Sequence, residues 1–74
     1  MNLDNKIKQL HKTFEIRAEI ADMMWEIDRL RDVELDYVSG EEYEKASMIL
    51  EQQKRYKRLI KNREKKLKEY QKDI

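Results

Sequence analysis

Seventy-four residues, 45% of them charged, contain one glycine, no proline and no cysteine. Such a chain holds one domain at most, has little interior for a substrate pocket, and forms neither disulfides nor thiolate zinc sites; one histidine, His11, cannot build a metal cluster. No apolar run approaches the roughly 18 residues needed to span a bilayer, and Met1-Asn2-Leu3-Asp4 lacks the apolar core of a signal peptide, so the expectation is a cytoplasmic, non-enzymatic protein with no cofactor or metal.

In chain order, Leu3, Ile7, Leu10 and Phe14, then Ile16, Ile20, Met23, Ile27 and Leu30, recur in steps of four and three. That spacing predicts one helix over about residues 3–37 with an apolar seam. The change of phase between Phe14 and Ile16 predicts a stutter, at which the stripe moves around the helix. Met24, Trp25, Val33 and Tyr37 widen it.

Val38-Ser39-Gly40-Glu41-Glu42 is the one break. Gly40 accepts a left-handed backbone, and Ser39 with Glu42 three residues later reads as a capping box, which predicts a turn at about 38–40 and a second helix over about 40–73. Beyond it, Ala46, Ile49, Gln53, Tyr56, Ile60, Arg63, Leu67, Tyr70 and Ile74 alternate steps of three and four, with Gln53 and Arg63 the polar exceptions. Two helices of roughly 50 Å at 1.5 Å per residue, joined by a short turn, predict an all-α, antiparallel two-helix coiled-coil hairpin spanning 1–74. A hairpin buries one seam only, so the remaining apolar surface calls for a homo-oligomer or a bound partner.

Charge is unevenly placed. Residues 1–53 carry 7 basic and 13 acidic side chains and residues 54–74 carry 10 and 3, giving −6 and +7. On a hairpin the turn end, residues 22–51, carries 10 acidic side chains against Arg29, Arg31 and Lys45. The rod therefore has an acidic head and a basic foot, which predicts salt-screened head-to-foot attraction.

The segment Tyr43-Glu44-Lys45-Ala46-Ser47-Met48-Ile49-Leu50-Glu51 resembles the UVR motif, a helical-hairpin signature reading aromatic-Glu-x-Ala-Ala-x-Leu-Arg-Asp. Leu50 is the clearest departure. Upstream, Glu26-Ile27-Asp28-Arg29-Leu30 is similar to the Glu-(Ile/Leu)-Asp-Arg-(Leu/Val) stretch in the coiled-coil middle domain of ClpC, the bacterial AAA+ unfoldase. The likeness covers roughly the last two-thirds of the chain and leaves residues before about Ala21 without a counterpart. In that family the middle domain is an arm on the ATPase ring; arm tips pair head to head to hold the unfoldase resting, and adaptors relieve that state. The chain resembles the arm without the motor, because its lone Gly40 excludes the family's glycine-rich phosphate loop.

The resemblance implies a protein-binding regulator that mimics the arm and modulates the ClpC protease, as a host factor or as a phage product acting on its host. Tyr43 would be the tip anchor, with Glu42, Glu44 and Lys45 as charged specificity contacts. The plainer reading has Tyr43 staple the turn against Tyr37 or Val38. Trp25 with Met23 and Met24 offers an adaptable contact surface, although helical spacing favours hairpin packing for them. Asp28, Asp32 and Asp36 read as an exposed acidic face, Ser39 as a cap and Ser47 as a small helix residue. Two other functions fit the sequence: a UVR module of nucleotide-excision repair, and a basic coiled coil binding nucleic acid through Lys54–Lys72. Tyr56 and Tyr70 lie on the seam, which disfavours base stacking.

Overall fold

The computed structural model describes residues 3–72. Two helices account for nearly all of them: α1, Leu3–Ser39, and α2, Tyr43–Lys72. They pack antiparallel as a rod of 59 × 15 × 10 Å. Its radius of gyration is 17.1 Å, against about 11 Å for a globular chain of this length. Accessible surface is 6218 Å², about 1,300 Å² more than a compact chain of this mass exposes.

Uninterrupted helix formers carry both elements, but their charges act differently. In α2, Glu44 lies in the first turn, where its charge suits the helix dipole, and Lys65, Lys66 and Lys68 stand toward the C-terminal end. In α1 the last turn has no basic residue and contains Asp36, so its C-terminal charge opposes the dipole. Packing against α2 therefore matters more for α1 than for its partner.

Along α2 the buried and half-buried positions are Ala46, Ile49, Gln53, Tyr56, Ile60, Arg63, Leu67 and Tyr70, the predicted seam; the last predicted position, Ile74, lies outside the described residues. On α1 the observed seam is Gln9, Thr13, Ile16, Ile20, Met23, Ile27, Leu30, Glu34 and Tyr37, in unbroken steps of four and three. The predicted stutter does not occur. Leu3, Ile7, Leu10 and Phe14, expected in the seam, are 44–70% exposed. The physical reason is that two paired helices hold a 3.5-residue repeat, and extending the repeat set by Ile16 to Tyr37 back toward the N-terminus lands on Gln9 and Thr13. Thr13 is tolerated there because its hydroxyl, buried with the rest of the residue, donates to the Gln9 carbonyl at 2.9 Å.

Polar seam positions on α2 are answered from α1. Gln53, 2% exposed, donates through Nε2 to Glu34 Oε1 at 2.8 Å. Arg63 Nε meets Glu19 Oε2 at 2.9 Å, and the Lys45 ammonium stands 5.7 Å from the Tyr37 ring centre. These three cross-links, spread from tip to foot, fix the register that sets Tyr37 level with Ala46, Leu30 with Gln53 and Thr13 with Tyr70.

The turn differs from the predicted one. Glu42 N–H donates to Tyr37 O at 2.8 Å and Glu41 N–H to Val38 O at 3.0 Å, the paired bonds of a Schellman motif. Its left-handed residue is Glu41, at φ 59°, and Gly40 is not left-handed. Ser39 closes α1 instead of capping α2. Glu42 takes the cap position, where its carbonyl accepts from Ala46 N–H at 3.0 Å. Keeping Tyr37 level with Ala46 carries α1 through Ser39 and leaves Gly40, Glu41 and Glu42 to reverse the chain, so the left-handed residue falls one place after the glycine.

Candidate functional site

At the tip, Glu41, Glu42, Tyr43, Glu44 and Lys45 line one open depression. Tyr43 is the first residue of α2 and is 63% exposed, with its ring presented to solvent at the start of a helix. The stapling alternative would need that ring covered.

Lys45 is held in place. Its ammonium donates to Glu42 Oε1 at 3.0 Å and lies near the Tyr37 ring. The hydrogen bond to Glu42 and that carboxylate's charge raise the Lys45 pKa above the ordinary lysine value, and Tyr37 adds a smaller effect. With Lys45 and Glu42 paired, Glu41 and Glu44 leave the depression with a net negative charge, so the local field around Tyr43 is negative.

Trp25 is not part of this site. It lies 14 residues before the end of α1, about 21 Å back along the rod at 1.5 Å per residue. It is 76% exposed on the face opposite the seam, so the expectation that it packs inside the hairpin is overturned. Met23 is half-buried in the seam and Met24 is exposed beside Trp25. A helix turns about 100° per residue, which carries the three neighbours to three different faces. Asp28, Asp32 and Asp36 are exposed, as are His11 and Ser47. Among the described residues no group of three or more His, Cys, Asp or Glu side chains is arranged to hold a metal ion, and no helix is long and apolar enough to cross a membrane.

Sequence reasoning missed a second surface. Leu3, Ile7, Leu10, Phe14, Ala21 and Met24 follow one another around α1 one residue out of step with the seam, flanked by Trp25. Tracing the heptad backward from Tyr37 would have exposed it, since that repeat leaves these residues outside the hairpin.

The fold and its exposed surfaces define an all-α helical hairpin with open surface depressions in place of an enclosed pocket among the described residues. No family model, no curated protein and no solved structure matches the chain.

Proposed function

We propose that this hairpin is a non-enzymatic protein-binding regulator that docks by its tip on the coiled-coil middle domain of a ClpC-type unfoldase and so modulates the ClpC protease, in the cytosol of a bacterium as a host factor or a phage product. The observation that supports it most is Tyr43, exposed at the tip within an acidic rim, at the aromatic position of the UVR-like segment. An amphipathic ring on a pre-ordered helix start loses little entropy on binding, which suits an interface anchor. By competing for the surface through which arms pair, a free tip changes the balance between resting and active unfoldase.

The nucleic-acid reading gains less support. Tyr56 and Tyr70, the rings interleaved with the basic run, are half-buried in the seam and offer no open stacking face.

The test is binding of the purified protein to ClpC with and without its middle domain, alongside Tyr43→Ala. The expected result is binding that requires the arm and weakens about thirtyfold in the variant, the scale of a hot spot of about 2 kcal/mol. Undiminished binding to the armless unfoldase, or a Tyr43→Ala variant with unchanged affinity, would reject tip mimicry.

A further inference from the structure

The second stripe on α1 repeats in the same steps of four and three as the seam, with Arg17 as its one charged position between Phe14 and Ala21, displaced by one residue, or about 100° around the helix. A helix with two such stripes faces two neighbours at nearly a right angle, the geometry of a helix at the corner of a bundle. One neighbour is α2. We infer that the other is α1 of a second copy of this chain, packed antiparallel about a twofold axis between Glu15 and Ile16.

Area supports a second copy. Leu3, Ile7, Leu10, Phe14 and Met24, each 44–70% exposed, together present on the order of 600 Å², which approaches the roughly 800 Å² that each partner contributes to a standard interface. It also lies at the upper end of the apolar patch of about 300–600 Å² that a monomer ordinarily leaves in water. A twofold contact uses the same patch on both copies, so one stripe suffices.

Charge and size select the antiparallel direction. Residues 3–15 carry Lys6, Lys8 and Lys12 against Asp4 and Glu15, or +1, and residues 16–28 carry Arg17 against Glu19, Asp22, Glu26 and Asp28, or −3. Antiparallel packing lays one segment over the other, whereas parallel packing lays like on like. About the stated axis, Leu10 comes level with Ala21 of the second copy, Ile7 with Met24, and Phe14 with the aliphatic stem of Arg17. These three layers join residues that fill a helix interface without two bulky rings meeting, while Leu3 comes level with exposed Asp28 at the rim of the contact. Because the axis lies in the foot half, the two acidic tips point outward, about 75 Å apart at 1.5 Å per residue. The dimer stands independently of what the tips bind, since the stripe ends at Met24, well short of the tip that carries Tyr43.

The experiment combines sedimentation equilibrium with fluorescence of Trp25, the chain's single tryptophan. The expected mass is twice 9.2 kDa at tens of micromolar, with a blue-shifted Trp25 emission that moves red on dilution. Phe14→Lys, which sets a lysine against Arg17 in both copies, is expected to give a helical monomer with red-shifted emission, and Leu10→Lys the same. Nitroxide labels on Ser47→Cys, exposed in a chain without other cysteines, are expected about 60 Å apart by dipolar spectroscopy. A monomer at all concentrations up to about 200 µM, a mass climbing past the dimer as head-to-foot growth would give, a dimer indifferent to both lysine substitutions, or labels within about 30 Å of each other would each overturn the inference.

Discussion

Glu41 occupies a backbone conformation that costs a side-chain-bearing residue about 1–2 kcal/mol, one position after the only glycine in the chain. Exchanging the two demands is therefore informative. Glu41→Gly is expected to stabilise the hairpin by about 1 kcal/mol in urea unfolding, the relief of the left-handed strain exceeding the entropy that glycine adds to the unfolded chain. Gly40→Ala is expected to be neutral or stabilising by up to about 1 kcal/mol, because an added Cβ meets Asp36 O at 3.6 Å and Tyr37 O at 3.8 Å, ordinary contact distances. A loss of stability in either variant would show that the turn is built otherwise. Titration offers a second check at this scale. The Arg29 side chain hydrogen-bonds the Glu26 carboxylate and lowers its pKa, with the guanidinium charge adding to the effect against partial desolvation. A depressed carboxyl contributes stability above the unfolded value, and that contribution is lost as pH falls through the lower folded value. The Lys45 contribution runs the other way: present below the ordinary lysine value, it is lost as pH rises through the raised one. By NMR, the Glu26 midpoint is expected below that of an unstructured glutamate and at or above the ordinary value in Arg29→Ala.

Between the helices, the buried amide of Gln53 and the half-buried carboxylate of Glu34 form the polar layer of an otherwise apolar stretch between Leu30 and Ile49. Such a layer fixes register at some cost in stability, since any slip separates the pair. Glu34→Ala leaves the Gln53 Nε2 donor buried without its acceptor and is expected to cost about 1–3 kcal/mol. Adding Gln53→Leu to that variant removes the orphan and is expected to restore most of the loss, because replacing both partners avoids the desolvation penalty. Thermal unfolding of the two variants checks this; equal destabilisation would mean that the layer acts through packing alone. The layer also explains how α1 keeps its place although its last turn opposes the helix dipole.

Over the whole rod, burial is graded. Ile27, Leu30, Ala46 and Gln53 are buried in the head half, while among the described residues of the foot only Thr13 and Ile16 are buried, beside half-buried Leu67 and Tyr70. Opening of the monomeric hairpin should start where the fewest apolar contacts hold it. In Phe14→Lys, amide exchange is expected to be fastest over residues 3–12 and 65–71 and slowest around Ile27–Leu30 and Ala46–Gln53. In the native chain the second copy covers α1 of the foot, so protection of residues 3–12 is expected to rise with protein concentration. Exchange that is uniform along the rod would contradict both the gradient and the covering. The basic foot and acidic tip then have separate tasks: the foot half assembles the dimer and the head presents Tyr43.

Much was settled by composition and spacing alone. Two long helices follow from the absence of proline and from a single glycine, and the seam of α2 is readable position by position because its apolar residues form only one heptad series. The residues of the tip depression, Glu41 to Lys45, are neighbours along the chain and so were legible as a group except for Glu41, although the contact of Lys45 with Tyr37 across the turn was not. On α1 two series compete, one residue apart, and local hydrophobicity favours Leu3, Ile7, Leu10 and Phe14 over Gln9 and Thr13. Which series turns inward depends on the register shared with α2, a property of the pair. The same register set the length of α1 and so carried the left-handed position from Gly40 to Glu41. Periodicity within one helix determines that a face exists; only packing of the second helix decides which face is buried and which is left for a partner.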